Sequence, residues 1–202
     1  MKAYRNLGSG LVLIELVVVM AIILVLFVLY FGSSGSQGFQ HKQQTLCRQN
    51  LQFVFGALQT FAIDNQERYP IVKGAETSEL PLSLLVPRYT ARTEIFICPG
   101  SKDKSLPAAQ SFEKRRISYA YLMGLTNGMP SEQWLMSDEQ INSKAKAIRD
   151  PLFSSDGSAL GNKHHKYGGV LLFCDGHVEF SSASADKEVV VPFGTVILNP
   201  RR

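Results

Sequence analysis

From Leu11 to Phe31 the chain presents twenty apolar side chains in twenty-one positions, and the exception is Glu15. No other feature constrains the fold as strongly. Coiled as a helix with about 1.5 Å rise per residue, the run reaches roughly 31 Å, about one bilayer core, and so predicts a transmembrane helix. A carboxylate one turn into such a helix costs about 2.5 to 3.5 kcal/mol when unpaired. A plain anchor has no reason to keep it. Glu15 therefore reads as a functional residue whose partner comes from outside its own helix; the competing reading is a Glu that reaches the headgroups or is protonated.

Upstream lies a short basic leader, Met1 to Gly10, carrying Lys2 and Arg5. Gly10, Leu11 and Glu15 together resemble the prepilin leader of type IV pilins and type II secretion pseudopilins, in which a Gly ends the leader, an apolar residue opens the mature chain and a Glu stands fifth in it. Leu11 departs from the Phe that is commoner in the family. The resemblance implies cleavage by a membrane prepilin peptidase between Gly10 and Leu11 and methylation of the new amino group. It also implies that this amino group, on a neighbouring subunit, is the partner of Glu15, setting the register between packed helices. An ordinary signal peptide has a shorter apolar segment, roughly 7 to 15 residues, and leaves Glu15 unexplained. Lys2 and Arg5 favour the cytoplasmic side for the leader, which directs the rest of the chain outward.

The formal net charge of +4 includes Lys2 and Arg5, and 4 − 2 leaves +2 on the processed chain. Acids and bases are interleaved, which is no nucleic-acid signature. The expected organisation is a leader over 1–10, a transmembrane helix over 11–31, a Gly/Ser neck over 32–38 that weakens helix, and a periplasmic or extracellular domain over 39–202. Within that domain Cys47, Leu51, Val54, Phe55, Leu58 and Ala62 recur at spacings of three and four. They predict a second helix over 40–65 whose apolar stripe needs a sheet to cover.

Cys47 to Leu51, Phe61 to Asn65, Arg68-Tyr69-Pro70, Ile95 to Gly100 and Ile117 to Tyr121 resemble one branch of prepilin-like proteins. The defining match is His165, nine residues, then Asp175-Gly176, similar to the signature of a prepilin-type processing-associated domain. Read on its own terms, Asp175-Gly176 between two apolar runs is a two-residue hairpin turn. That turn pairs Cys174 with His177, Phe173 with Val178 and Leu171 with Phe180, gives Asp175 and Gly176 positive φ, and lets His165 fold back to hydrogen-bond it. The alternative is a metal site from His164, His165, Asp175 and His177, with Asp156 nearby. Imidazole and carboxylate suit zinc or iron, but the spacing matches no metal motif and no metal or cofactor is expected.

Three cysteines allow three disulfide pairings. Cys47 with Cys98 is the candidate, since Cys174 falls in the hairpin, and both fit equally as reduced core residues. Elsewhere the pattern predicts a short helix or turn over 80–87, a strand over 94–97, a turn at Asn127-Gly128, a helix around 137–141, and edge strands over 189–192 and 195–198.

The whole predicts an α+β, pilin-like fold: a long N-terminal transmembrane helix with an antiparallel sheet packed on its outer half. The resemblance implies a structural, non-enzymatic subunit of a pilus or type II secretion pseudopilus. Its partners would be the prepilin peptidase, other pilin or pseudopilin subunits and inner-membrane lipid. It would be single-pass in a bacterial inner membrane. The rival is a tethered metal-binding or hydrolytic domain using His165 and Asp175.

Overall fold

The computed structural model describes residues 8–32, 35–143, 150–183 and 191–202, with the side chains of its first helix described from Ile14 to Tyr30. The chain divides into two compact units, Met1–Phe39 and Gln40–Arg202.

The first unit is built on α1, Gly8–Gly32. From Ile14 to Tyr30 every position is exposed, and its large apolar side chains range from 47% exposed at Val19 to 77% at Tyr30. Among the described residues no helix is long and apolar enough to cross a membrane. This overturns the transmembrane helix expected over 11–31, and with it the membrane-spanning form of the fold. The physical obstacle is charge: Glu15 puts a carboxylate inside the apolar run, where an unpaired one costs about 2.5 to 3.5 kcal/mol.

Helix α2, Gly35–Asp64, opens with Gly35 to Gly38 in helical form, so that part of the expected neck is helix; residues 33 and 34 lie outside the described residues. Cys47, Leu51, Val54, Leu58 and Ala62 are fully buried, while Arg48, Gln49 and Gln52 are exposed. Each buried leucine of that stripe contributes roughly 1.5 to 3 kcal/mol relative to exposure. The helix stops where Asn65 returns its side-chain amide to the Phe61 carbonyl at 2.7 Å and the chain turns through Gln66 and Glu67 at positive φ.

The stripe joins one core with a five-stranded sheet. Its strands are β1 (Tyr119–Met123), β2 (Trp134–Asp138), β3 (Gly169–Phe173), β4 (Val178–Ser181) and β5 (Val196–Leu198), in the order β4-β3-β2-β1-β5. All four neighbour pairs are antiparallel. The fold of Gln40–Arg202 is therefore α+β, with β5 at an edge.

Three local expectations are corrected. Residues 94–96 lie in a 3-10 turn, Thr93–Phe96, and Ile97 in a bend, in place of the expected strand. Of the helix expected around 137–141, Ser137 and Asp138 instead end the central strand β2, buried at every position, and 139–141 are not helical. A strand covered on both faces loses the alternation that marks strands in sequence. The hairpin register is also shifted by one residue. Val170 faces Phe180 and Leu172 faces Val178, leaving Cys174-Asp175-Gly176 as a three-residue loop closed by the Phe173 and His177 backbones at 3.0 Å. Only Gly176 takes positive φ, at 88°, as in a type I turn followed by a bulge residue. That slip swaps faces: Leu171 leaves the side of Val178, and Phe180 is 44% exposed. Residues 189 and 190 of the other expected edge strand lie outside the described residues.

Candidate functional site

Gly10 and Leu11 lie at the start of α1 and Glu15 is exposed on it. The structure does not bring together the residues of the His-(nine residues)-Asp-Gly pattern. His165 is exposed at positive φ, 57°, with its ring 6.4 Å from that of Tyr167. Asp175 is exposed in the hairpin loop, where its carboxylate accepts the His177 backbone N–H at 2.9 Å and contacts the His177 ring. The backbone hydrogen bond, against a small burial effect and with help from the ring, holds the Asp175 carboxyl below its ordinary range. The His177 ring stacks on Phe173 at 4.3 Å. Asp156 accepts from the Ser154 hydroxyl and the Ser158 N–H, each at 2.8 Å. The hairpin cluster thus reads as a capped turn.

The neighbouring histidine is the one the fold buries. The segment from Gly161 to Gly168 carries two successive side chains inward, Lys163 and His164, against two successive residues leaving β2, Asp138 and Glu139. His164 Nε2 lies 3.3 Å from Asp138 Oδ2, and Lys163 Nζ lies 3.3 Å from Glu139 Oε2.

On the Lys163 side stands a four-member ion network. Lys163 Nζ donates to Asp103 Oδ2 at 2.7 Å, and Arg116 bridges Asp103 at 2.7 Å and Glu139 at 2.9 Å. The Ser118 hydroxyl donates to Asp103 at 2.6 Å. Burial alone would push the Asp103 carboxyl up. The hydrogen bonds from Lys163 and Ser118 and the two nearby cations outweigh it and hold that carboxyl below its ordinary value. For Arg116, burial works against the charged form, but Glu139 and Asp103 raise its pKa further.

On the His164 side stands a disulfide. Cys47 of α2 and Cys98 are bonded, with Cα atoms 5.3 Å apart. The Asn50 amide donates to the Ile97 carbonyl at 3.0 Å and that of Gln43 to Pro99 at 3.2 Å, holding the 95–100 segment along α2. Cys98 Sγ lies 3.5 Å from His164 Nε2 and accepts the Gly100 N–H at 3.3 Å. Asp138 Oδ2 also accepts the Val170 N–H at 2.9 Å. All four side chains are at most 1% exposed. His164 Nδ1 and Asp138 Oδ1 have no hydrogen-bond partner among the described residues. Gly100 is required here, because a Cβ would sit 2.5 Å from the Lys163 carbonyl oxygen and 2.8 Å from His164 Nδ1.

The sequence named His164 as an alternative metal ligand, but with His165, Asp175 and His177; Asp138, hidden in a stretch read as helix, was missed. The third cysteine, Cys174, is free and buried; burial, then the Asp175 carboxylate, pushes its thiol up to about 12. The chain matches no protein-family model, no curated protein and no solved structure.

Proposed function

We propose that the chain is a pilin-like structural subunit. It is cut between Gly10 and Leu11 by a prepilin peptidase, and it assembles with copies of itself or related subunits through α1. The observation that carries the reading is the exposure of α1. A helix apolar on every side from Leu16 to Tyr30 and exposed at each of these positions requires cover from outside it. Neighbouring α1 helices supply that cover and give Glu15 a partner in the amino group of Leu11. An uncompensated carboxylate among packed apolar helices is strongly unfavourable, and pairing fixes axial register. Outside the cytoplasm the Cys47–Cys98 disulfide persists.

The test is co-purification of a tagged with an untagged copy from the same cells. The native pair is expected to co-purify, and Glu15→Ala to abolish it while the level of each chain is unchanged. Equal recovery of native and Glu15→Ala partners would refute assembly through this residue.

A further inference from the structure

We propose that Cys47, Cys98, His164 and Asp138 form a divalent zinc site when the disulfide is reduced, so that one buried locus holds either a disulfide or a metal ion. One ligand atom from each of the four lies within 4.8 Å of every other, and all four side chains are buried. Two sulfurs, one imidazole nitrogen and one carboxylate oxygen are a zinc donor set. With zinc–sulfur bonds of about 2.3 Å and zinc–nitrogen or –oxygen bonds of about 2.0 to 2.2 Å, tetrahedral edges run from about 3.3 to 3.8 Å. The two edges already present, 3.5 Å from Cys98 Sγ to His164 Nε2 and 3.3 Å from that nitrogen to Asp138 Oδ2, fall in that range. The sulfur–sulfur edge has to open, which reduction allows, and the remaining edges all lie within 4.8 Å.

A second observation points to a cation. Asp138 is a buried carboxylate whose Oδ2 accepts one backbone N–H and lies 3.3 Å from His164 Nε2, and whose Oδ1 is orphaned among the described residues. A carboxylate so placed is costly unless a charge compensates it. The guanidinium and ammonium nearby are already engaged with Asp103 and Glu139. A cleft of about 560 Å³ is lined among others by Lys163, next to His164 in the chain, and by Gly100, whose N–H donates to Cys98 Sγ. Full burial also fits a closed structural metal site.

The chemistry balances as follows. A dithiol reductant gives two electrons and two protons to the Cys47–Cys98 bond and becomes a disulfide itself. Zinc then displaces the two thiol protons to solvent and binds both thiolates, His164 Nε2 and Asp138 Oδ2. The metal form belongs to reducing surroundings and the disulfide form to oxidising ones. The inference stands whether or not α1 assembles.

The experiment uses the full chain, anaerobic, with and without a phosphine reductant, titrated with Co²⁺ and with Zn²⁺. The reduced chain is expected to take up about one equivalent and to show the thiolate-to-cobalt charge-transfer band with tetrahedral visible bands. The oxidised chain is expected to show neither. Cys174→Ser should bind like the native chain, and His164→Ala and Asp138→Asn should bind at least about tenfold more weakly. Should His164→Ala not fold, the native chain still decides: zinc must raise the melting temperature of the reduced form and leave that of the oxidised form unchanged. A reduced native chain without stoichiometric binding, or binding lost in Cys174→Ser, would overturn the proposal.

Discussion

Replacing Lys163 with Met tests the buried ion network where it is most vulnerable. The Lys163, Asp103 and Glu139 side chains are 5%, 7% and 2% exposed, so removal of the ammonium leaves two buried carboxylates sharing Arg116, itself 31% exposed. Breaking a buried pair from one side costs about 3 to 5 kcal/mol, because the abandoned charge stays in low dielectric. For a unit the size of Gln40–Arg202, each kcal/mol corresponds to about 2 to 4 °C, so the melting temperature should fall by about 6 to 20 °C. Circular dichroism of the thermal transition at pH 7 reads this directly. Combining Lys163→Met with Glu139→Leu removes both partners and should recover at least half of the loss, since neutral apolar pairs replace buried ion pairs at little cost. The pH dependence has a definite sign. The Asp103 carboxyl is held below its ordinary value, so its contribution is complete above the unfolded value and is lost as pH falls through the folded one. The gap between native and Lys163→Met should therefore narrow below about pH 4. A loss under about 3 °C, the size expected of a surface pair, would refute the buried-network account.

Gly176→Ala places a methyl 2.5 Å from the Phe55 ring at a φ of 88°, and should cost about 1 to 3 kcal/mol in urea unfolding, with Gly128→Ala, in open space, as the near-neutral control. Reducing the disulfide in the presence of a chelator frees a loop of sequence separation 51, and should lower stability by about 4 kcal/mol on the chain-entropy relation. Cys174, with its thiol pushed up to about 12 in a buried site, should react with iodoacetamide at pH 8 on the order of 100-fold more slowly in the native chain than in the unfolded one, read by mass.

How far the fold was legible depended on how much of each element faces solvent. The stripe from Cys47 to Ala62 alternates with exposed Arg48, Gln49 and Gln52, so α2 and its buried face could be read directly. Strand β2 could not, because Trp134 to Asp138 is covered on both sides and its polar Ser137 and Asp138 are buried with it. The hairpin at Asp175-Gly176 was legible as a hairpin, yet its register turned on whether one or two loop residues take positive φ, and the answer moved every cross-strand pair by one. Against the membrane span expected over 11–31, no helix among the described residues is long and apolar enough to cross a membrane. At the buried cluster the cysteines were visible as a candidate pair. Which of two adjacent histidines turns inward was not, because the left-handed backbone at His165 follows from tertiary packing rather than from any local signal.

The pilin-like reading rests on processing at the start of α1, and the mass of the mature chain tests it most directly. Intact mass spectrometry with N-terminal sequencing of the chain from its native cells is predicted to find N-methylated Leu11 as the first residue. A chain that retains Met1, or one cut beyond Phe31, would contradict it.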